Sequence, residues 1–320
     1  MGAGGLTMLG RHADNLFWMA RYLERAENSA RRIQSAFLHT LTQRTDGNKE
    51  WAAIIHSTGK VEAFADRHDA VSMANAIDYL LRDKSNEDSV ISLLEKARQN
   101  ARSVRTALTQ EVWQSLNESW MNGNTALKRP VNIHDLPSIL EDIIKGSSVF
   151  RGALYGTMLH NDIFNFLRLG TFMERADNTA RLIGARYHRL LPTASASMGG
   201  SDQSQWEIML RSLAAWRSYN WLNRGHLDPS GVAAFLIFDD RMPRSLSFCY
   251  KEICANLMDL ETAYNGTYDS GERARDILRQ LEEGKRMDIH RLGLRDFING
   301  FIADNNNLSL TIAADFNLEP

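Results

Sequence analysis

The 320-residue sequence contains few of the residues that cross-link or interrupt a fold. Its two cysteines, Cys249 and Cys254, lie five positions apart in an apolar stretch. That spacing is neither a C-x-x-C motif nor suitable for a disulfide within one helix, so we predict buried thiols in a reducing compartment. The six prolines fall near expected helix ends, which leaves room for long uninterrupted helices between them.

Long apolar runs and a strong net charge are also absent. The longest apolar run, Val232–Phe238, has seven residues, far fewer than the roughly 20 needed to span a bilayer. The chain does not begin with a basic region followed by an apolar stretch, so we predict no signal peptide and expect a cytoplasmic protein. The short apolar runs give no reason to expect a membrane as a partner, and a net charge of −2 provides no basic field, so nucleic acid is not expected either.

Arginine supplies most of the positive charge, with 29 arginines against 8 lysines. The planar guanidinium pairs with carboxylate or phosphate through two parallel hydrogen bonds. Heavy use of arginine therefore suits internal ion-pair networks or an anionic ligand, although a GC-rich genome would produce the same bias.

Hydrophobic periodicity is helical almost throughout, and no alternating segment predicts a strand. We therefore predict an all-α fold, a long-helix bundle of roughly ten helices in one domain spanning residues 1–320. Ser85 is the expected cap of the helix that begins at Ser89, and residues 192–203, rich in Ser, Ala and Gly, are the expected linker. The predicted helices are 14–43, 51–57, 71–82, 89–117, 137–191 with a break at Gly152 or Gly156, 206–221, 229–238, 244–264, 272–283 and 290–316.

A charged ten-residue segment occurs twice, as Glu24–Ile33 and as Glu174–Ile183. Seven of the ten positions are identical, and the copies lie 150 residues apart. On a helix of 3.6 residues per turn, Glu24, Asn28 and Arg31 share one face, separate from the apolar stripe that faces the core. The repeat therefore predicts a second, polar surface on both helices.

The duplication also predicts an arrangement of the whole chain. Two helical halves, about 1–135 and 136–320, are expected to pack about a pseudo-twofold axis. The two motif helices are expected to lie antiparallel at the centre, against each other or against a shared neighbour.

Two interpretations of the repeated polar face remain open. It can be a solvated surface, where ion pairs contribute about 0–1 kcal/mol, or it can contact its copy or a ligand. Three further arginines at i, i+4 and i+7, Arg98, Arg102 and Arg105, need carboxylates if they are buried, and Glu24 or Glu174 could supply them. Glu24 and Glu174 are the candidate catalytic residues, as general bases. The candidate substrate-binding residues are Arg21, Arg25, Asn28, Arg31, Arg98, Arg102, Arg105, Arg175, Asn178, Arg181 and Arg244.

Motifs for other kinds of chemistry are missing from the sequence. No Glu-x-x-His pair is present to build a carboxylate-bridged metal site, so no metal is expected. G-x-S-x-G and P-loop motifs are also missing, so neither a serine nucleophile nor a nucleotide phosphate loop is predicted.

Four blocks in order resemble the Alpha-E family, bacterial all-helical proteins named for a Glu-Arg motif. The resemblance covers essentially the whole chain. The blocks are Arg11–Arg31, with Ala13-Asp14-Asn15-Leu16-Phe17-Trp18 and Glu24-Arg25-Ala26-Glu27-Asn28; Asp88–Asn117; Phe166–Asp177, which contains the second Glu-Arg pair; and Phe235–Cys249, with Pro243-Arg244-Ser245.

The resemblance implies partners more than it implies a reaction. Such proteins are associated with circularly permuted ATP-grasp ligases and with transglutaminase-like proteins, which suggests a system that makes or remodels amide bonds on a peptide. ATP and magnesium are then expected on the ligase and no cofactor in this chain. Two hypotheses follow: an enzymatic component whose Glu-Arg faces form the site, or a non-catalytic adaptor that docks the ligase or its peptide. The aromatics considered for an adaptor contact surface are Trp206, Trp216, Tyr219 and Trp221.

Overall fold

The computed structural model describes residues 3–42, 47–190, 200–286 and 293–318, with side chains described over most of these ranges. This part of the chain is helical throughout and contains no strand, which confirms the all-α prediction. The predicted linker at 192–203 lies mostly outside the described residues. The helices are α1 (Ala3–Thr42), α2 (Gly47–Ser57), α3 (Val61–Ala65), α4 (Met73–Leu81), α5 (Val90–Ser103), α6 (Gln110–Ala126), α7 (Leu136–Thr157), α8 (Asp162–Leu190), α9 (Gly200–Ser212), α10 (Trp216–Asn223), α11 (Pro229–Phe238), α12 (Leu246–Ala263), α13 (Asp269–Arg286) and α14 (Leu294–Phe316).

Two long helices that carry the repeated motif lie at the centre of the fold. Helix α1 packs against α5, α7 and α9, α8 packs against α12 and α14, and the two helices pack against each other. The predicted contact between the motif helices is therefore confirmed. A Cβ atom on Gly170 would lie 2.2 Å from the Phe17 carbonyl oxygen, so the absence of a side chain there permits this close approach.

The predicted antiparallel orientation of these helices is wrong. Helix α14 runs antiparallel to α8, because Phe316 contacts Phe166 while Ile298 lies next to Gly184. It also runs antiparallel to α1, since Asn317 lies at Gly10 and Ser309 bonds to Arg21. Helices α1 and α8 therefore run in the same general direction. A repeat in sequence is compatible with either orientation, and the packing of the other helices decides between them.

Two of the predicted helices are each divided in the structure. The predicted helix 89–117 is interrupted by a short 3-10 helix at Arg105–Ala107, and the Thr109 hydroxyl then caps α6 by accepting from the Val112 amide at 3.4 Å. The cap of α5 is Ser89, not Ser85. The predicted helix 206–221 is divided at Ala214, which has a φ of +53°.

Other boundaries agree more closely with the prediction. Helix α11 has its predicted bounds. The Ser245 hydroxyl caps α12 by accepting from the Phe248 amide at 3.0 Å, one residue after the predicted helix start at 244. The break before the second motif lies at 158–161 and not at Gly152 or Gly156, which are both helical. No described helix is long and apolar enough to cross a membrane.

Candidate functional site

The two Glu-Arg motifs pair reciprocally across the contact between α1 and α8. The Arg175 Nε lies 3.0 Å from Glu24 Oε1. The Arg25 guanidinium binds Glu174 through two atoms, with Nε at 2.6 Å from Oε1 and Nη2 at 2.9 Å from Oε2. Each glutamate is 3% exposed and Arg175 is buried, while Arg25 is half-buried. The solvated-surface interpretation is therefore wrong for these four residues.

Further arginines surround Glu24 and its neighbour Glu27. Arg244, from the loop before α12, places Nη1 2.7 Å from Glu24 Oε1 and Nη2 2.9 Å from Glu27 Oε1. Arg31 Nε donates to Glu27 Oε1 at 2.8 Å, and Arg151 from α7 contacts both carboxylates. We call this group the Glu24 cluster; its members are Glu24, Glu27, Asn28, Arg31, Arg151, Arg175 and Arg244.

A second group of side chains surrounds Glu174. Arg21 Nε donates to Glu174 Oε2 at 3.1 Å and its Nη1 donates to the Ser309 hydroxyl at 3.0 Å. Arg25 Nη1 also donates to Asp88 Oδ1 at 3.1 Å, and Lys60 Nζ lies 2.6 Å from Asp88 Oδ2. We call this group the Glu174 cluster; its members are Arg21, Arg25, Arg32, Lys60, Asp88, Glu174, Asp177, Asn178 and Arg181.

Two loops of matching geometry contribute to these clusters, Asp83–Ser89 and Asp239–Ser245. In each loop the first Asp accepts from the backbone amide two residues ahead, and the final serine caps the following helix. The residue before the cap reaches the motif on α1, but it is Asp88 in one loop and Arg244 in the other. Two loops of the same conformation thus place side chains of opposite charge in the two clusters.

The paired arginines hold the motif glutamates in their ionised form. Burial by itself would raise the pKa of Glu24, but Arg175, Arg244 and Arg151 lower that pKa to about 2. The pKa of Glu174 is also lowered, because Arg25 and Arg21 outweigh its burial. Both carboxylates are therefore charged at neutral pH.

Positive charge exceeds negative charge in the two clusters together. Nine cationic side chains surround five carboxylates among the described residues. The cations are Arg21, Arg25, Arg31, Arg32, Lys60, Arg151, Arg175, Arg181 and Arg244, and the carboxylates are Glu24, Glu27, Asp88, Glu174 and Asp177. Such a surplus is chemically suited to an anion, since guanidinium groups bind carboxylates and phosphates through paired hydrogen bonds.

The predicted pairing of Arg98, Arg102 or Arg105 with a motif glutamate is wrong. Arg98 Nε donates to Asn117 Oδ1 at 2.8 Å, and its guanidinium lies 4.0 Å from the ring centroid of Trp120. Arg105 lies over Trp113, and Arg102 is exposed. Helix α5 turns its apolar stripe toward α1, so the arginine stripe lies on another face and is stabilised there by tryptophan rings.

The other predicted residues do lie in the clusters. Asn28 Oδ1 accepts from Arg244 Nη1 at 2.7 Å, and Arg181 Nε donates to Asp177 Oδ2 at 2.7 Å. Asn178 is buried one turn beyond Glu174. The candidate set omitted Glu27, Arg32, Lys60, Asp88, Asp177 and Arg151. The sequence could have identified Arg32, because it is the one position of the repeat where the two copies differ in chemistry. Its counterpart in the second copy is Leu182.

The aromatics and cysteines are distributed between core and surface. Trp206 and Tyr219 are buried, Trp216 is half-buried, and Trp221 is 82% exposed, so only Trp221 projects fully as a contact residue. Both cysteines are free, as predicted, although only Cys249 is fully buried. Burial raises the pKa of the Cys249 thiol to about 12, so this thiol is a poor nucleophile at neutral pH.

This chain is an all-helical protein in which two Glu-Arg motifs pair across two central helices. The chain belongs to the Alpha-E family, described as a predicted alpha-helical domain with a conserved ER motif, and the family model matches residues 8–316. The resemblance drawn from the sequence is thereby confirmed.

Curated relatives come from mycobacteria. An uncharacterized protein of Mycobacterium bovis is 24% identical over 270 residues, a match that covers 78% of this chain and 30% of that protein. An uncharacterized protein of Mycobacterium tuberculosis is 23% identical with the same coverage. The chain thus spans less than a third of the length of these relatives. No solved structure matches the chain.

Proposed function

We propose that the protein is a component of an amide-bond-forming or peptide-modifying system that acts with a circularly permuted ATP-grasp ligase. In this proposal the two clusters bind an anionic group of the peptide substrate. The observation that carries it is the surplus of cationic side chains around two ionised, buried glutamates. ATP and magnesium would bind to the ligase, and a transglutaminase-like protein would be a further partner.

Binding suits these glutamates better than base catalysis does. A general base works best when its pKa is near the working pH, and the pKa of Glu24 is about 2. Each motif carboxylate also contacts at least two guanidinium groups. Glu24 and Glu174 would therefore orient arginines that touch the substrate, while a catalytic role for either glutamate remains the competing hypothesis.

A groove on the opposite side of the Arg244 loop favours an adaptor as the second candidate function. The groove has a volume of about 390 Å³, and Trp221, Phe235 and Met242 supply much of its apolar lining. Exposed aromatics with neighbouring arginines are typical of protein contact surfaces, and Arg217 and Arg241 border this groove. In the mycobacterial relatives the matching segment is 30% of a longer chain, which supports a fold that works beside other domains.

The proposal is tested by co-expressing the protein with an ATP-grasp ligase from the same organism. We expect the two proteins to co-purify, and we expect this protein to increase the rate of ATP-dependent amide formation on peptides. The proposal fails if the ligase neither co-purifies nor changes its rate when the protein is added.

Two variants separate the candidate functions. If the clusters bind substrate, Glu24→Gln with Glu174→Gln in a folded protein should raise KM more than it lowers kcat. A loss of kcat at constant KM would support base catalysis instead. If the groove docks the ligase, Trp221→Ala should weaken co-purification, whereas Leu159→Ala, which removes another exposed apolar side chain outside the groove, should not.

A further inference from the structure

One arginine in the Glu174 cluster differs from all the cations of the Glu24 cluster. Arg32 is half-buried and its Nε is shielded from solvent without a hydrogen-bond partner among the described residues. Its Nη2 donates to the Ser29 hydroxyl at 3.2 Å. No described carboxylate lies within ion-pair distance of it, whereas Arg31, Arg151, Arg175 and Arg244 all have one.

The charges around Arg32 are mixed, and none of the described carboxylates forms an ion pair with it. Its charge interacts unfavourably with that of Arg25 and favourably with those of Glu174, Asp88 and Asp177, and burial lowers its pKa. A second buried donor of the same cluster, Asn178 Nδ2, also has no hydrogen-bond partner among the described residues, and the same is true of its counterpart Asn28 Nδ2 in the Glu24 cluster. Buried donors without acceptors are destabilising, and an oxyanion can supply the acceptors.

The Glu174 cluster is also the more open of the two. Side-chain exposure is 27% for Arg25, 33% for Lys60 and 49% for Arg181. In the Glu24 cluster the side-chain exposures are lower, at 6% for Arg244, 10% for Arg175, 18% for Arg31 and 24% for Arg151. Arg32 itself is half-buried, so a ligand can reach it from solvent without the motif helices separating.

We propose that Arg32, with the neighbouring Arg25 of the Glu174 cluster, forms an oxyanion site that takes the carboxylate of a peptide. The guanidinium fork fits carboxylate and phosphate alike. Asp88 and Asp177 lie in the same cluster and repel a dianion more strongly than a monoanion, so a carboxylate is favoured over phosphate. The choice of a peptide as the carrier of that carboxylate rests on the proposed function above.

Isothermal titration of the isolated protein tests the site. The ligands are a short peptide with a free C-terminal carboxylate, the same peptide amidated at its C-terminus, and inorganic phosphate. We expect the free carboxylate to bind and amidation to weaken binding at least 10-fold. Equal binding of the two peptides, or no binding of either, would overturn the proposal, and tighter binding of phosphate would overturn the assignment to carboxylate.

Two matched variants test whether the carboxylate binds at Arg32. Arg32→Leu, which introduces the residue found at the counterpart position Leu182, should weaken carboxylate binding at least 10-fold. Arg98→Leu, which removes a half-buried arginine of α5 outside both clusters, should bind as the parent does. Circular dichroism should show parental helicity for both variants. If Arg32→Leu is folded and binds as tightly as the parent, the site is not at Arg32.

This outcome can be distinguished from failure of the proposed function because the titration contains no ligase. If a carboxylate binds at Arg32 but the protein has no effect on a ligase, the oxyanion site is supported and the proposed partner is rejected. If the protein affects a ligase and Arg32→Leu does so equally, the partner is supported and the site at Arg32 is rejected.

Discussion

The Glu24 and Glu174 clusters are built from the same motif but differ in closure and charge balance. Around Glu24, the loop before α12 contributes Arg244, which is almost fully buried. Around Glu174, the matching loop before α5 contributes Asp88, whose side chain is 35% exposed. The first cluster closes on itself through carboxylate and guanidinium pairs, while the second remains partly open to solvent.

The two copies of the motif thus keep the same central ion pairs, although the side chains around these pairs differ. The reciprocal pairs of Glu24 with Arg175 and of Glu174 with Arg25 use corresponding residues. The outer partners do not correspond in charge, since Asp88 matches Arg244 in loop position and Arg32 matches Leu182 in the repeat. If the oxyanion site proposed at Arg32 binds, the two copies of the motif have taken different roles, one structural and one in binding.

Removal of the Glu24 carboxylate should lower stability most, and it tests whether the Glu24 cluster stabilises the fold more than the Glu174 cluster does. Glu24→Ala leaves the buried Arg175 and Arg244 without this carboxylate, so we expect a loss of about 3–5 kcal/mol in the free energy of unfolding. Glu174→Ala should cost less, because Arg25 keeps Asp88 and is partly solvated, which leaves Arg21 as the buried arginine that loses its carboxylate. Urea denaturation measures both variants.

An exposed ion pair provides the control for these two variants. Asp240 pairs with Lys251 at 2.6 Å on the surface, and Asp240→Ala should change stability by only about 0–1 kcal/mol. A denaturation curve for Glu24→Ala that overlays the parent curve would show that the cluster is not a stabilising structural unit.

Acid should weaken the Glu24 cluster in a defined pH window. The pKa of Glu24 falls from 4.5 to about 2 on folding, so its contribution is complete above pH 4.5 and is lost as the pH falls toward 2. The shift corresponds to about 3 kcal/mol at 1.36 kcal/mol per pKa unit. Urea denaturation between pH 7 and pH 3 should show a steeper loss for the parent than for Glu24→Gln. Parallel pH profiles would contradict the low pKa.

A side chain added where the two motif helices approach closely should cause the next largest loss of stability. Gly170 corresponds to Ala20 of the first copy, and Gly170→Ala would place a Cβ against the Phe17 carbonyl oxygen. Overpacking of this kind costs about 1–3 kcal/mol. The matched control is Gly152→Ala in α7, where nothing lies within 4 Å, and alanine should stabilise that helix by about 0.5–1 kcal/mol. Equal melting temperatures for the two variants would show that the helices do not meet at Gly170.

Removal of the Arg32 guanidinium should have the smallest effect on stability, and the effect should be neutral or stabilising. Without ligand, Arg32→Leu removes a half-buried guanidinium that has no described carboxylate partner, so we expect stability to be unchanged or to rise by up to about 1 kcal/mol. Arg244→Leu, the contrasting variant, should be strongly destabilising because it breaks contacts to Glu24, Glu27 and Asn28. A large loss of stability in Arg32→Leu would mean that the two clusters are equally structural.

The elements that could be predicted from the sequence are those set by local rules. Helix α11 begins at Pro229 and ends at Phe238 as predicted, and Ser245 caps α12, because a proline at the first turn and a serine cap act within one turn of the chain. The break at 104–109 was missed, since helical periodicity continues across it while the Thr109 cap begins a new helix.

Hydrophobic periodicity is enough to predict an all-helical fold, and the internal repeat is enough to select Glu24, Arg25, Glu174 and Arg175 as functional candidates. The common direction of α1 and α8 can be known only from the packed helices. The packing also establishes that the motif glutamates pair with arginines of the opposite copy and not with Arg98, and that Arg32 has no carboxylate partner in the described part of the chain. The physical reason is that ion pairing depends on which helix faces meet across distances of about 150 residues in sequence, and no local spacing rule contains that information.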